Sequence, residues 1–284
     1  MPIMIDPRLY FITAVLYVLL GLRVFLSQRA QEQGLPRPPE GRGELRVGLV
    51  RALILGVLLI HGVLLHQGLM EDNQLDLSLG HSLSLIGWVT VALYWGVSFR
   101  YRMGVLLPVI LMITGALVLS PLVLPADKQV TYSHLLAFKI HLAVSLMAYG
   151  LFAIAALHAV LMSSMEQRLH NHDRPLTRLG PMPSLVAMDT LLFQMVLAGF
   201  LLLTATLVSG VFFSETLFGK PLPFNHKVVF SFLSWLIYAG LLLGRQFWGV
   251  RGRRAARWTL VGFGMLLVAY LGSKFVLEIV LHRG

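Results

Sequence analysis

The chain has 284 residues, 57% hydrophobic and only 13% charged, with a formal net charge of +10. Soluble domains carry about 25% charged residues, so this composition excludes an ordinary soluble enzyme, and it excludes disorder, which needs low hydrophobicity and high charge. With no cysteine, disulfides, thiolate metal sites, cysteine nucleophiles and covalent attachment of a c-type haem are excluded as well.

A bilayer core needs about 20 mostly apolar helical residues. Eight stretches meet that length, at residues 9–26, 47–69, 79–99, 103–123, 135–162, 185–213, 228–247 and 258–281. Backbone groups in lipid must be satisfied within the segment, so these stretches predict helices. The expected fold class is all-α, a polytopic integral membrane bundle of eight transmembrane helices forming a single domain over 1–284. The first stretch reads as a retained helix: Asp6 spoils a basic leader and no small-residue cleavage site follows. Pro108, inside the fourth stretch, is expected to kink it. The fifth and sixth run long enough to tilt or project from the membrane.

Lysine and arginine set the orientation. The segments at the ends of the first, third, fifth and seventh stretches hold sixteen of the 23 basic residues, among them Arg29, Arg42, Arg100, Arg168, Arg251, Arg253, Arg254 and Arg257. The loop after the second stretch, M-E-D-N-Q-L-D, is acidic. Both termini are therefore expected outside the cytoplasm. This asymmetry accounts for the net charge, so no nucleic acid partner is expected.

Ten histidines are the informative polar population, because ionisable groups inside spans are costly and mark function. His61 lies about eight residues before the outer end of the second span, roughly 12 Å deep at 1.5 Å per residue. His141 lies one to two turns below the outer end of the fifth. The two sit at similar depth, and two readings stay open. They are either neutral histidines bonded between helices, or a pair of axial ligands for a haem iron or another metal. A ligating imidazole needs an acceptor for its second nitrogen, and Ser145 or Ser209 is placed to serve His141. His134 shares a helical face with His141. His66 points away from His61 and reads as interfacial, His81 as a helix-start residue, and His158 belongs to the cytoplasmic end. His226 lies in an outer loop. Lys139, Lys128, Lys227 and Arg8 lie on the side where propionates would turn to water, as does Tyr132, or they are ordinary interfacial side chains. Asp189 reads as a helix-start carboxylate.

The segment L-L-A-F-K-I-H-L-A-V-S-L-M-A-Y-G-L-F-A-I-A-A-L-H-A at 135–159 resembles the histidine-bearing helix of the cytochrome c assembly family, the CcsA/HemX-like membrane proteins. The stretch 188–210 is similar to that family's next helix. The run N-H-K-V-V-F-S-F-L-S-W-L-I-Y-A-G-L-L-L-G-R at 225–245 looks like its W-D-P-K-E-x-W…W-L-I-Y-A element. The likeness is good over about 135–280 and extends loosely over about 47–281, and it fits best the short YpjD-type inner-membrane branch. One departure is plain: the loop S-E-T-L-F-G-K-P-L-P-F-N has no tryptophan, where the family's cytochrome synthases carry a tryptophan-rich haem loop. The resemblance implies haem b bound within the bilayer at His141, with His61 as partner. His134, Tyr132, Lys139, Lys227 and His226 would lie around the cofactor. It implies a role in haem handling or haem-protein maturation, with haem, lipid and other membrane proteins or a second copy as partners. No catalytic set is read, so the chain is not expected to be an enzyme. The alternative is a cofactor-free accessory protein assisting a metal-ion transporter or a tetrapyrrole enzyme. A haem-based quinol oxidoreductase would need a second in-membrane histidine pair, for which only His158 is available. A transporter would need helices broken in matching halves, and none is seen.

Overall fold

A computed structural model describes residues 6–32, 42–71, 74–99, 104–124, 129–130, 136–170, 184–218 and 226–272. Regular structure among them is helical apart from three strands of two or three residues. The helices are α1 (Pro7–Glu32), α2 (Arg42–Leu69), α3 (Leu79–Val97), α4 (Leu107–Val118), α5 (Ser120–Val123), α6 (Leu136–His170), α7 (Leu185–Phe218), α8 (His226–Trp248) and α9 (Gly252–Leu267). The strands are β1 (Met70–Glu71), β2 (Gln74–Asp76) and β3 (Gln129–Val130). β1 pairs antiparallel with β2, Met70 opposite Leu75. The chain is thus an all-helical membrane protein, and six helices are long and apolar enough to cross a bilayer. The other two expected spans are shorter in apolar length. α3 starts with His81, Ser82 and Ser84, and the fourth is the short pair Leu107–Val123.

Pro108 does not kink the fourth span. It sits in the first turn of α4, after a 3-10 turn at Gly104–Leu106, where a helix has no use for the missing N–H. The break falls at Leu119, between α4 and α5, with Pro121 in the first turn of α5.

The described residues divide into two compact units, one of 6–129, the other of 130–272. In the first, α1 packs on α2 and α4, and α3 on α2, α4 and α5. Small residues let these helices approach: a Cβ on Gly115 would stand 3.1 Å from the Ala14 carbonyl, and one on Gly80 2.8 Å from the Ser120 carbonyl. Two tryptophans lock α3 antiparallel against α2. Trp88 Nε1 donates to the Leu58 carbonyl at 2.8 Å, and Trp95 Nε1 to the Arg51 carbonyl at 3.0 Å.

In the second unit α6 packs on α7 and α9, and α8 on α7 and α9. Its centre is a stack of Phe152 on Tyr238, with ring centroids 4.0 Å apart. Gly199 and Gly262 flank the stack, and a Cβ on either would stand 2.8 Å from a ring carbon. The Tyr238 hydroxyl donates to the Thr259 carbonyl and Ser234 to the Gly262 carbonyl. In both units buried positions include His61, Ser84, Thr114, Ser234 and Thr259, while Leu59, Val63, Leu201 and Leu243 are exposed. An apolar exterior over a partly polar interior suits lipid as the surrounding solvent.

Candidate functional site

In the first unit a polar cluster runs between α1, α2 and α3. His61, on α2, is fully buried. Its Nε2 is 2.9 Å from Ser84 Oγ on α3, and its Nδ1 is 3.3 Å from the Tyr17 hydroxyl on α1. Both ring nitrogens are therefore engaged within the unit, and the Tyr17 ring meets the imidazole edge-on. One turn before Ser84 on α3, His81 is also buried. Its Nδ1 lies 2.9 Å from Asp76 Oδ2 and 3.0 Å from Ser78 Oγ. The second oxygen of Asp76 accepts the Ser78 backbone N–H at 2.8 Å. Burial pushes the Asp76 carboxyl up, but the hydrogen bonds from His81 and Ser78 outweigh it and hold it below the ordinary value. The other edge of His81 faces Gly68, where a Cβ would stand 2.8 Å from Nε2 and 3.1 Å from the Tyr10 hydroxyl. His81 is thus a partner of Asp76 rather than a residue that merely starts a helix. The signal was the spacing D-x-S-x-x-H, an acid two residues ahead of a capping position and a histidine in the first turn. His66 is exposed, as an interfacial residue is expected to be.

In the second unit His141, on α6, is partly buried, and its Nδ1 lies 2.8 Å from Ser209 Oγ on α7. The same Ser209 hydroxyl lies 3.1 Å from the Thr206 carbonyl. When it donates there it accepts from Nδ1, and that tautomer leaves the lone pair of the neutral imidazole on Nε2. Of the two serines expected near this ring, Ser145 is spent on the Leu142 carbonyl. Gly210 follows Ser209, and a Cβ there would reach only 3.6 Å from His141 Cε1. Lys139 is exposed, two residues ahead of His141. His226 is exposed at the start of α8, and Lys227 places its ammonium 5.7 Å from the Tyr270 ring centre. Tyr270 lies in a single π-helical turn, Val268–Gly272, while the Tyr149 hydroxyl donates to the Leu266 carbonyl just ahead of that turn. Arg8 is exposed on α1, in the first unit. Tyr132, His134 and Lys128 lie outside the described residues.

Two polar residues find structural partners. His158 donates from Nε2 to the Met188 carbonyl at 2.9 Å and is buried. Asp189 does not serve its own helix. Its Oδ1 accepts the backbone N–H of Gly252 at 3.0 Å, so it closes the start of α9. Among the described residues no three histidine, aspartate or glutamate side chains converge as a metal-binding group.

A family model described as cytochrome C assembly protein matches residues 74–281. The inner membrane protein YpjD of Escherichia coli K12 is 30% identical over 244 residues, covering 84% of this chain and 89% of that protein. The cytochrome c biogenesis protein CcsA of Prochlorococcus marinus MIT 9515 is 37% identical over 89 residues, 31% of this chain and 28% of CcsA. A 28.8 kDa protein of Azospirillum brasilense, from a nifR3-like 5′ region, is 34% identical over 144 residues, half of each chain.

Proposed function

The chain belongs to the cytochrome c assembly protein family, and we propose that it is an inner-membrane haem-handling protein in which His61 and His141 hold the iron of a haem b. It acts in haem handling or haem-protein maturation and is not itself an enzyme. Eight crossings, with both termini outside the cytoplasm, complete this reading.

The observation that carries it is the Ser209–His141 bond. Ser209 holds the ring through Nδ1, and by accepting the proton of that nitrogen it would leave Nε2 as the atom that ligates. The donor chemistry of His141 fits a haem iron. His61 fits at a cost, since one of its bonds, to Ser84 or Tyr17, must give way before a nitrogen can ligate. Whichever of Tyr17 and Ser84 keeps its bond would then hold the remaining nitrogen. Lys227 and Lys139 supply cations for propionates, with His226, Tyr132 and His134 around them. Bound haem supplies a redox-active iron. The buried polar cluster of the first unit supplies hydrogen bonds that stiffen the helix carrying His61.

The test is an absorption spectrum of the purified full chain, oxidised and dithionite-reduced. A Soret band that His141→Ala abolishes and His61→Ala abolishes or shifts is the expected result. A full band in the double variant overturns the ligand assignment. A second reading has one observation in its favour: both nitrogens of His61 are satisfied inside their own unit. On that reading the scaffold works without a cofactor, assisting a metal-ion transporter or a tetrapyrrole enzyme. Colourless protein recovered with a stoichiometric partner would establish it.

A further inference from the structure

α8 and α9 are joined by a turn of three residues, Gly249, Val250 and Arg251. The turn is tightly held. Gly249 and Gly252 take φ values of +63° and +60°, a region open to glycine at no steric cost. The Gly249 and Val250 amides donate back to the Arg245 and Gly244 carbonyls, each at 3.2 Å. Asp189 takes the Gly252 amide from across the unit.

This rigid turn presents a run of arginines. Arg251, Arg253, Arg254 and Arg257 are all exposed, whereas Ala255, Ala256 and Thr259 turn into the unit. On α9, Arg257 is four residues from Arg253 and three from Arg254, so the three guanidiniums are neighbours on one outward face. Like charges so placed repel. Two carboxylates lie at the base of the turn: Asp189 bonds the Gly252 amide, and a Cβ on Gly252 would stand 3.4 Å from Glu166 Oε2, while the arginines of α9 face outward. The nearby Arg245 is occupied elsewhere, stacked 3.9 Å over the Phe193 ring. Large aromatic side chains flank the turn along the chain. Phe247 is 71% exposed, Trp248 79% and Trp258 47%. Exposed tryptophan beside arginine, where two membrane-capable helices meet, is the composition of a lipid headgroup layer.

We propose that this face is a binding site for an anionic phospholipid. Guanidiniums of Arg253, Arg254 and Arg257 grip the phosphodiester, and Trp248 and Trp258 lie against the glycerol and upper acyl chains. Arginine suits the task because its planar fork donates paired hydrogen bonds to phosphate oxygens. Bound phosphate also relieves the repulsion among the three side chains. The site rests on the chain spanning a membrane and not on any haem.

The experiment titrates the detergent-purified full chain with phosphatidylglycerol and with phosphatidylcholine of the same acyl chains, reading bound lipid by native mass spectrometry. Phosphatidylglycerol is expected to bind at least tenfold more tightly. Each of Arg253→Gln, Arg254→Gln and Arg257→Gln should weaken it about fivefold, the effect of one basic residue at a membrane surface. Arg46→Gln, on α2 of the other unit, should leave it unchanged. Equal affinity for the two lipids in the unaltered chain overturns the proposal even where a variant fails to fold. So does an equal loss with Arg46→Gln. Displacement of phosphatidylglycerol by millimolar inorganic phosphate would make the site one for small anions and overturn the lipid assignment.

Discussion

At His141 the ring is held by the Ser209 hydroxyl, which lies 2.8 Å from Nδ1 and 3.1 Å from the Thr206 carbonyl. Ser209→Ala removes this partner of the ring, and a loss of this kind costs about 10–100-fold in metal affinity. Haem titration followed at the Soret band should show that loss, and an unchanged affinity would assign the ring's orientation to other contacts. Asp76 offers a second measurement. Its carboxyl is held below its ordinary value of 3.8 in the folded chain, so the folded state favours the ionised form. That contribution is complete above pH 3.8, where the unfolded chain is also ionised, and is lost as pH falls through the lower folded value. Asp76→Asn should therefore be less stable than the unaltered chain near neutrality, with the difference shrinking as the pH drops below about 3.8. A thermal unfolding series against pH reads it, and parallel curves would remove Asp76 from the account. His61 and His141 were legible as candidates because a histidine deep in an apolar helix must be satisfied by a neighbouring helix or by a ligand. The partners Tyr17 and Ser84 were not, since each is an ordinary residue until a neighbouring helix is placed beside it.

Between elements, the close approaches depend on glycine. Gly262 and Gly199 stand against the two faces of the Phe152–Tyr238 stack, with no room for a methyl group. Gly262→Ala should destabilise by about 1–3 kcal/mol, the usual cost of overpacking. Gly56, with nothing within 4 Å of its would-be Cβ, is the control: Gly56→Ala should be neutral or stabilising by about 1 kcal/mol, since alanine is the better helix former. Melting temperatures of the two variants in one detergent test both, and equal shifts would mean that the stack has slack. Helix boundaries were largely legible, because apolar length in lipid leaves the backbone no alternative. The break in the fourth span was misplaced from Pro121 to Pro108. Both prolines sit in the first turn of a helix; Pro108 follows the turn at Gly104–Leu106 at the start of the span, whereas Pro121 begins a new helix after α4 has stopped at Leu119 within it.

For the whole molecule, the remaining prediction is topological. Alkaline phosphatase fused after Gly284 should be active and a fluorescent protein there dark, the outcome expected when the arginine-rich segments face the cytoplasm. The reverse pattern would put the C-terminus in the cytoplasm, by an odd number of crossings or an inverted bundle. Composition and hydropathy alone determined that this is a multi-pass helical membrane protein, and the order of motifs over 135–280 determined its family. These properties add up along the chain and need no long-range contact. The tertiary structure decided what no single segment contains: that Asp189 serves α9 and not α7, that Tyr17 and Ser84 hold the two nitrogens of His61, and that Ser209 and not Ser145 meets the His141 ring. Each depends on atoms far apart in the chain, and a hydrogen bond is selected by the few tenths of an ångström that packing alone determines.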